Sequence, residues 1–407
     1  IINTRSAGED PELVARLTGA FIQGCQSNGM IATAKHFPGH GDTDQDSHSQ
    51  LPVIKADLDR LQKVELYPFQ KAIEQGVEAI MTAHLYVPAL EPEPGLPATL
   101  SPRILTDLLR NKMGFKGLIV TDALEMAGIT RYYSQEEAAL RALKAGVDLL
   151  LLPLDPVKVI NYLKEAVEKG ELPVERVDES VRRLLAAKAR LGLHHQSLVS
   201  IDRLPVVLGQ PEFKKIARQT FESALTLVKN ENNLLPVPPE KKIVILSLSS
   251  DPGDFYAGRR LATALTRRYP SARTFYADGD TGREKLEEAL AASLQAEVVI
   301  AALFSSLQAG KGSVDLEPGQ VELLQKIKEA GRPVVALSFG SPYFIRHLPG
   351  VDSYLCLYRN TPETQELAAR AICGEIGISG KLPVSIPGLY PRGHGIILER
   401  KIAEEEK

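Results

Sequence analysis

Residues 31–48 read IATAKHFPGHGDTDQDSH: a short apolar run, Ile31 to Lys35, gives way at once to a loop crowded with ionisable side chains. The run lacks the alternation of a strand with one wet face, which places it in a sheet covered on both sides. Comparable runs recur at Ala79 to Ala83, Leu118 to Thr121 and Asp148 to Leu152. Between and after them, the stretches at about 57–75, 102–113, 135–145 and 156–169 carry apolar residues three and four positions apart. Strands alternating with amphipathic helices predict an α/β fold with a parallel sheet clad in helices.

A doubly wound sheet and a (β/α)8 TIM barrel both satisfy that rhythm. The polar residues favour the barrel: Lys35 and His36, then His84, then Asp122 directly follow three separate runs. Reactive groups delivered by the C-terminal ends of different strands are what the active face of a barrel needs. A barrel takes eight strand and helix units and typically about 250 residues. Four units are visible here, so the chain is expected to hold the C-terminal half of a barrel. The other half is expected upstream of Ile1 or on a companion chain.

From about residue 195 the rhythm breaks, with His194, His195 and a proline-rich stretch ending LLPVPPEKK. A linker over 196–240 is expected there, between a catalytic barrel portion at 1–195 and a C-terminal α/β sandwich domain at 241–407. In the latter, strands are expected at Ile243 to Leu248, Val298 to Leu303, Val334 to Ser338 and Tyr354 to Leu357. Helices are expected near 255–268, 283–294, 317–329 and 362–373. No GxGxxG or Walker sequence follows any of these strands, which argues against a nucleotide site.

Composition narrows the partners. The 48 basic and 51 acidic residues among 407 leave a net charge of -3, too small a field to gather nucleic acid or an anionic membrane surface. Three cysteines, Cys25, Cys356 and Cys373, follow no CxxC spacing and read as buried thiols. No stretch approaches the roughly 20 apolar residues of a membrane span. The first residues lack the basic and apolar regions of a signal peptide and read as the interior of a domain. A small, locally bound partner is the expectation.

The segment Lys35 to His48 packs three histidines, three aspartates and a lysine into fourteen residues. Pro38, Gly39 and Gly41 allow tight turns, so the loop can fold back over the mouth of the sheet. Two chemistries fit. His36, His40, His48 and a carboxylate have the donor types of a divalent metal site, although no HExxH helix accompanies them. Alternatively Asp46 orients His48, fixing its tautomer so that it can give and recover a proton near neutral pH, while Lys35 and His36 bind substrate hydroxyls. A polar loop that merely closes the sheet is the plainer reading.

Residues 117–126, GLIVTDALEM, deliver Asp122 at the end of an apolar strand. Such an aspartate is often only the N-cap of the next helix. Paired with His48, it suits retaining glycoside cleavage, which sets a nucleophile and a proton donor on either side of the scissile bond, about 5 to 5.5 Å apart when both are carboxyls. A nearby cation such as Lys35 would help keep the nucleophile ionised.

The loop KHFPGHGDT followed by DSH resembles the signature of glycoside hydrolase family 3, in its β-N-acetylglucosaminidase (β-hexosaminidase) branch, nearly letter for letter. INTRSAGEDP at residues 2–11 is similar to the segment holding that family's substrate-binding arginine, which corresponds to Arg5. TDALEM resembles the nucleophile strand. The resemblance implies Asp122 as nucleophile, Asp46 and His48 as the acid/base dyad, and Lys35 and His36 as sugar contacts. His84 in MTAHL and Met126 at the end of TDALEM join the substrate-binding candidates. GKLPVSIPG at 380–388 is similar to the stretch closing the second domain of two-domain members. The implied enzyme is a retaining exo-glycosidase that hydrolyses terminal β-linked N-acetylglucosamine from cell-wall muropeptides or chitin oligomers, without metal or cofactor. Members begin with four further barrel strands, including a sugar-binding aspartate with no counterpart here.

In the β-glucosidase branch the acid/base is a glutamate from the second domain, whereas here the barrel loop already supplies a histidine. A neutral imidazole avoids a second anion beside Asp122 and tolerates an anionic acceptor, so phosphorolysis stands beside hydrolysis. A β-glucosidase of the same family and a non-catalytic sugar-binding scaffold also compete with the hexosaminidase. By analogy with two-domain members, the cell envelope or the extracellular space is the expected location, ahead of the cytoplasm.

Overall fold

Three short parallel strands carry the first half of the chain: β1 (Thr33–Phe37), β2 (Ala79–Thr82) and β3 (Leu118–Val120), in the order β1-β2-β3. They are seen in a computed structural model that describes residues 2–43, 51–254, 257–305 and 315–401. Thr33 lies opposite Ala79, and Ala79 opposite Leu118. Helices Pro11–Ser27, Tyr67–Glu74, Arg103–Lys112, Gln135–Ala145, Pro156–Glu168 and Val174–Arg190 accompany the strands. Their starts are written in the sequence: Asp10 and Asp155 cap the first turns, each followed by a proline whose missing N–H is not needed there. Phe37, Ile54, Ile80, Leu85, Ile104 and Ile119 are fully buried in one apolar core.

Three local expectations shift. The first strand, expected at Ile31 to Lys35, forms two residues later as β1, so Lys35 and His36 lie within it. The helix expected at 57–75 divides into Leu58–Lys63 and Tyr67–Glu74. Pro68 sits in the first turn of the second piece, where proline is tolerated; deeper in one continuous helix it would cost about 3 kcal/mol. The fourth expected strand, Asp148 to Leu152, pairs with β3 by a single bridge, Val120 to Leu149. Backbone bonds such as Asp148 N–H to Ile119 O at 2.8 Å join the two, and side chains take two further N–H groups. The Asp148 carboxylate accepts the Ile119 N–H at 3.0 Å, and Thr121 Oγ1 accepts the Leu151 N–H at 2.8 Å.

Asp148 is also the hub of the unit's base. Its buried carboxylate receives Arg110, Arg183 at 2.9 Å and Ser180 at 2.8 Å, with Arg176 3.7 Å away. This ties the end of the third β/α unit to helix Val174–Arg190. Burial pulls the Arg110 guanidinium down to about 10, against the opposing pull of Asp148.

The chain divides into two compact units at Ser200 and Ile201. In the second, six strands run in the order β4-β9-β8-β7-β5-β6: β4 (Thr226–Asn230), β5 (Ile243–Ser249), β6 (Arg273–Ala277), β7 (Val298–Phe304), β8 (Val334–Ser338) and β9 (Ser353–Cys356). All neighbours are parallel except β4 and β9. Every residue of β5 and β7 is buried, as expected of central strands covered by helices on both faces. The fold is therefore α/β, a barrel portion that does not close followed by a mostly parallel sheet.

The stretch 196–240, expected to be a linker, is not featureless. It carries helix Pro211–Ala224 and the edge strand β4, whose three leading residues are buried. Strand β6 is an addition to the expected set, because RTFYA is half-exposed and begins with an arginine, so it lacks the unbroken apolar run of its neighbours. Cys356 is buried, Cys25 and Cys373 are half-buried, and all three are free thiols. No helix among the described residues is long and apolar enough to cross a membrane.

Candidate active site

The C-terminal ends of β1 and β3 bring His36 and Asp122 together. His36 Nε2 stands 3.6 Å from Asp122 Oδ2, with side-chain exposures of 10% and 20%. That separation is electrostatic contact rather than a hydrogen bond. The peptides Lys35–His36 and Phe37–Pro38 are cis. The chain then folds back, with the Gly39 N–H donating to the His36 carbonyl at 2.9 Å.

His36 is held neutral. Burial drives its pKa from 6.5 down to about 4; Asp122 opposes the fall, and the positive field of Lys35, His40 and Arg5 adds to it. Arg5 sits in the exposed turn Asn3–Arg5, and Lys35 is exposed on β1. The His40 ring meets His36 edge-on at 6.0 Å.

Asp122 does not cap a helix. Its Oδ1 accepts the N–H of the very next residue, Ala123, at 2.9 Å, and the following short helix, Ala127–Thr130, starts behind Met126 as its N-cap. One carboxylate oxygen is thus fixed on the backbone while Oδ2 faces His36. The strand end itself is anchored on both sides. Thr121 N–H donates to Leu149 O at 3.0 Å, and Leu124 N–H to Leu151 O at 2.9 Å. Asp122 is thus a partly exposed carboxylate with one oxygen on the backbone and the other facing a neutral ring.

His84, expected among the sugar contacts, is held inside the protein. It is 1% exposed, with Nδ1 2.8 Å from Thr99 Oγ1 and Nε2 3.0 Å from the Ala123 carbonyl. Both ring nitrogens are engaged inside the protein. Met126 is likewise buried, at 8%. Asp46 and His48, the expected acid/base dyad, lie outside the described residues, as does one member of the metal set. No group of three or more His, Cys, Asp or Glu that could hold a metal ion occurs among the described residues.

Of the support of the loop, only Gly39 carries a signal in the sequence. Gly39 has φ +135, and a Cβ built there would come 2.6 Å from Glu65 Cβ, so only glycine fits. Arg60 reaches Asp42 Oδ2 at 2.8 Å and Glu65 Oε1 at 3.3 Å, tying the loop to the break between two helices. Nothing local to Arg60 or Glu65 signals this. Thr99, the partner of His84, stands in a plain PATL segment and is equally silent.

Comparison with known proteins places the chain. Residues 1–187 match the Glycosyl hydrolase family 3 N terminal domain, and residues 225–393 the Glycosyl hydrolase family 3 C-terminal domain. A β-N-acetylglucosaminidase/β-glucosidase of Cellulomonas fimi is 27% identical over 402 residues, covering 94% of this chain and 71% of that protein. β-Hexosaminidase A of Pseudoalteromonas piscicida is 31% identical over 354 residues, covering 81% of this chain but only 56% of that protein. A solved family 3 β-N-acetylglucosaminidase from Paenibacillus sp. str. FPU-7 superposes with a TM-score of 0.83 at 32% identity, covering 95% of this chain and 73% of that one. With both domain matches in order, and a fold and sequence likeness running through nearly all of its length, the chain belongs to glycoside hydrolase family 3.

Proposed function

We propose that this chain carries the catalytic groups of a retaining exo-glycosidase that removes terminal β-linked N-acetylglucosamine from cell-wall muropeptides or chitin oligomers. The observation that carries the reading is the Asp122 carboxylate at the end of β3, with Oδ1 fixed by the Ala123 N–H and Oδ2 facing the neutral His36. The names of the Pseudoalteromonas and Paenibacillus enzymes support the sugar.

In the first step an Asp122 oxygen attacks the anomeric carbon. The glycosidic C–O bond breaks, and the leaving oxygen takes a proton from His48, which Asp46 orients. In the second, His48 accepts a proton from water as the water oxygen attacks the same carbon and releases Asp122. Arg5, Lys35 and His36 hold the sugar. A neutral His36 can donate a hydrogen bond to a hydroxyl without adding charge beside the nucleophile.

The test is turnover of an aryl β-N-acetylglucosaminide by the parent chain and by Asp122→Ala. Replacement of the nucleophile is expected to lower kcat by about 10⁴-fold or more; an active Asp122→Ala protein would overturn the assignment. A second reading, β-glucosidase activity at the same site, is favoured by the dual name of the Cellulomonas relative. The ratio of kcat/KM on aryl β-N-acetylglucosaminide and aryl β-glucoside separates the two. Running both with inorganic phosphate tests transfer to phosphate, which would appear as a sugar 1-phosphate.

A further inference from the structure

We infer that His84 is a positioning residue for the nucleophile, acting through the Ala123 carbonyl; the inference rests on the reading of Asp122 above. Ala123 is the residue on which the Asp122 carboxylate leans, since its N–H donates to Oδ1. Its carbonyl, on the other side of the same Cα, faces His84 Nε2 at 3.0 Å and also accepts the Met126 N–H at 3.1 Å. His84 stands at the end of β2, next to β3, so this contact links the two strand ends at the point where the reacting group leaves the sheet.

The proton arrangement follows from the partners. A carbonyl oxygen only accepts, so Nε2 carries the hydrogen. In the neutral ring Nδ1 is then an acceptor, and the Thr99 hydroxyl at 2.8 Å is its donor. Thr99 Oγ1 also lies 2.9 Å from the Ala83 carbonyl and 2.9 Å from Thr82 Oγ1. Its one proton has two acceptors, the Ala83 carbonyl and Nδ1; because the Ala123 carbonyl already requires the hydrogen on Nε2, a neutral ring takes the Thr99 proton at Nδ1, at the expense of the bond to Ala83. Thr82 and Thr99 are at 0% and His84 at 1% exposure, and Ala123 is half-buried. The Ala123 carbonyl sets the tautomer, the buried threonine meets it at Nδ1, and the tautomer holds the peptide.

His84→Phe keeps the bulk and removes the donor. Because about 1 Å of misplacement can cost about 10²-fold, kcat on the aryl β-N-acetylglucosaminide is expected to fall about 10- to 100-fold with KM changed less than about threefold. His84→Gln retains an N–H near the Nε2 position and is expected to recover most of that loss. Thr99→Val removes the donor to Nδ1 from outside the site; kcat should fall while Tm stays close to the parent's, and Thr99→Ser should restore it. Parent-like kcat in folded His84→Phe, or in Thr99→Val should His84→Phe fail to fold, overturns the inference.

A readout independent of turnover is the pair of ¹⁵N ring shifts of His84 in the full chain. The Nε2–H tautomer is expected, and the Nδ1–H tautomer would overturn the inference. Asp122→Ala keeps the two failures apart. An active Asp122→Ala sinks the assignment of the nucleophile, whereas an inactive Asp122→Ala beside a fully active His84→Phe sinks only the role given to His84.

Discussion

Protonating His36 should destabilise the first unit, and the size of the effect can be worked from its surroundings. Its side chain is 10% exposed, and its pKa lies at about 4 in the fold against 6.5 ordinarily. In the unfolded chain the ring takes up its proton as pH falls through 6.5; in the folded chain it does so only near 4. Between those values the unfolded state binds more protons, so stability falls as pH drops and levels off below the folded value. The whole difference amounts to about 3 kcal/mol, of which about 2 kcal/mol is lost between about pH 7 and pH 4.5. Urea unfolding of the parent and of His36→Gln at several pH values isolates this contribution, because every other titrating group is shared. The stability gap between the two proteins should change by about 2 kcal/mol over that interval, with the parent losing more. Parallel curves would refute the claim that the fold holds His36 neutral. Adding Asp122→Asn removes the group that opposes the fall, so in that background the loss due to the histidine should continue below pH 4 instead of levelling off there.

Gly39→Ala places a methyl 2.6 Å from Glu65 Cβ at φ +135; a loss of about 1–3 kcal/mol in stability and a disproportionate fall in kcat are expected, measured by thermal melting and the aryl-glycoside assay. Asp148→Ala leaves Arg110, Arg176 and Arg183 without their shared buried carboxylate, and a loss of about 3–5 kcal/mol by urea titration is expected, with catalytic constants per folded molecule little changed. His48→Ala should depress kcat/KM on unactivated oligosaccharides far more than on activated aryl glycosides, since only the former need a protonated leaving group. Equal losses on both substrates would remove His48 from the role of acid.

The strand-then-polar-loop rhythm is legible because parallel strands buried on both faces leave unbroken apolar runs. Hence Val334–Ser338 matches its expected bounds, and Ala79–Thr82 lies within one residue of them. β4 and β6 are not legible for the converse reason. β4 is an antiparallel edge strand ending in Lys229 and Asn230, and β6 is half-exposed at the other edge. The site divides along a similar line. Lys35, His36 and Asp122 follow apolar runs and announce themselves. Thr99, Arg60 and Glu65 act by packing under the loop from segments far away in sequence, and nothing in their own neighbourhoods marks them.

Two aspartates on successive segments show what decides whether such a residue serves chemistry or stability. Asp122 in VTDAL and Asp148 in GVDLL both flank apolar stretches and look alike as letters. Asp122 follows its strand, at the face where a barrel keeps its reactive groups, and has one backbone donor and 20% of its side chain exposed. Asp148 precedes its segment, at the opposite end. It is wholly buried and takes Ile119, Ser180 and the arginines of two helices. A carboxylate saturated with cationic donors is a poor nucleophile, because attack would strip it of the partners that make its burial tolerable. Asp122, bound on one oxygen and facing a neutral ring with the other, keeps a lone pair available. Strand direction therefore separates the role proposed for Asp122 from the structural one of Asp148 before any distance is known, and the donor count at each carboxylate gives the physical reason.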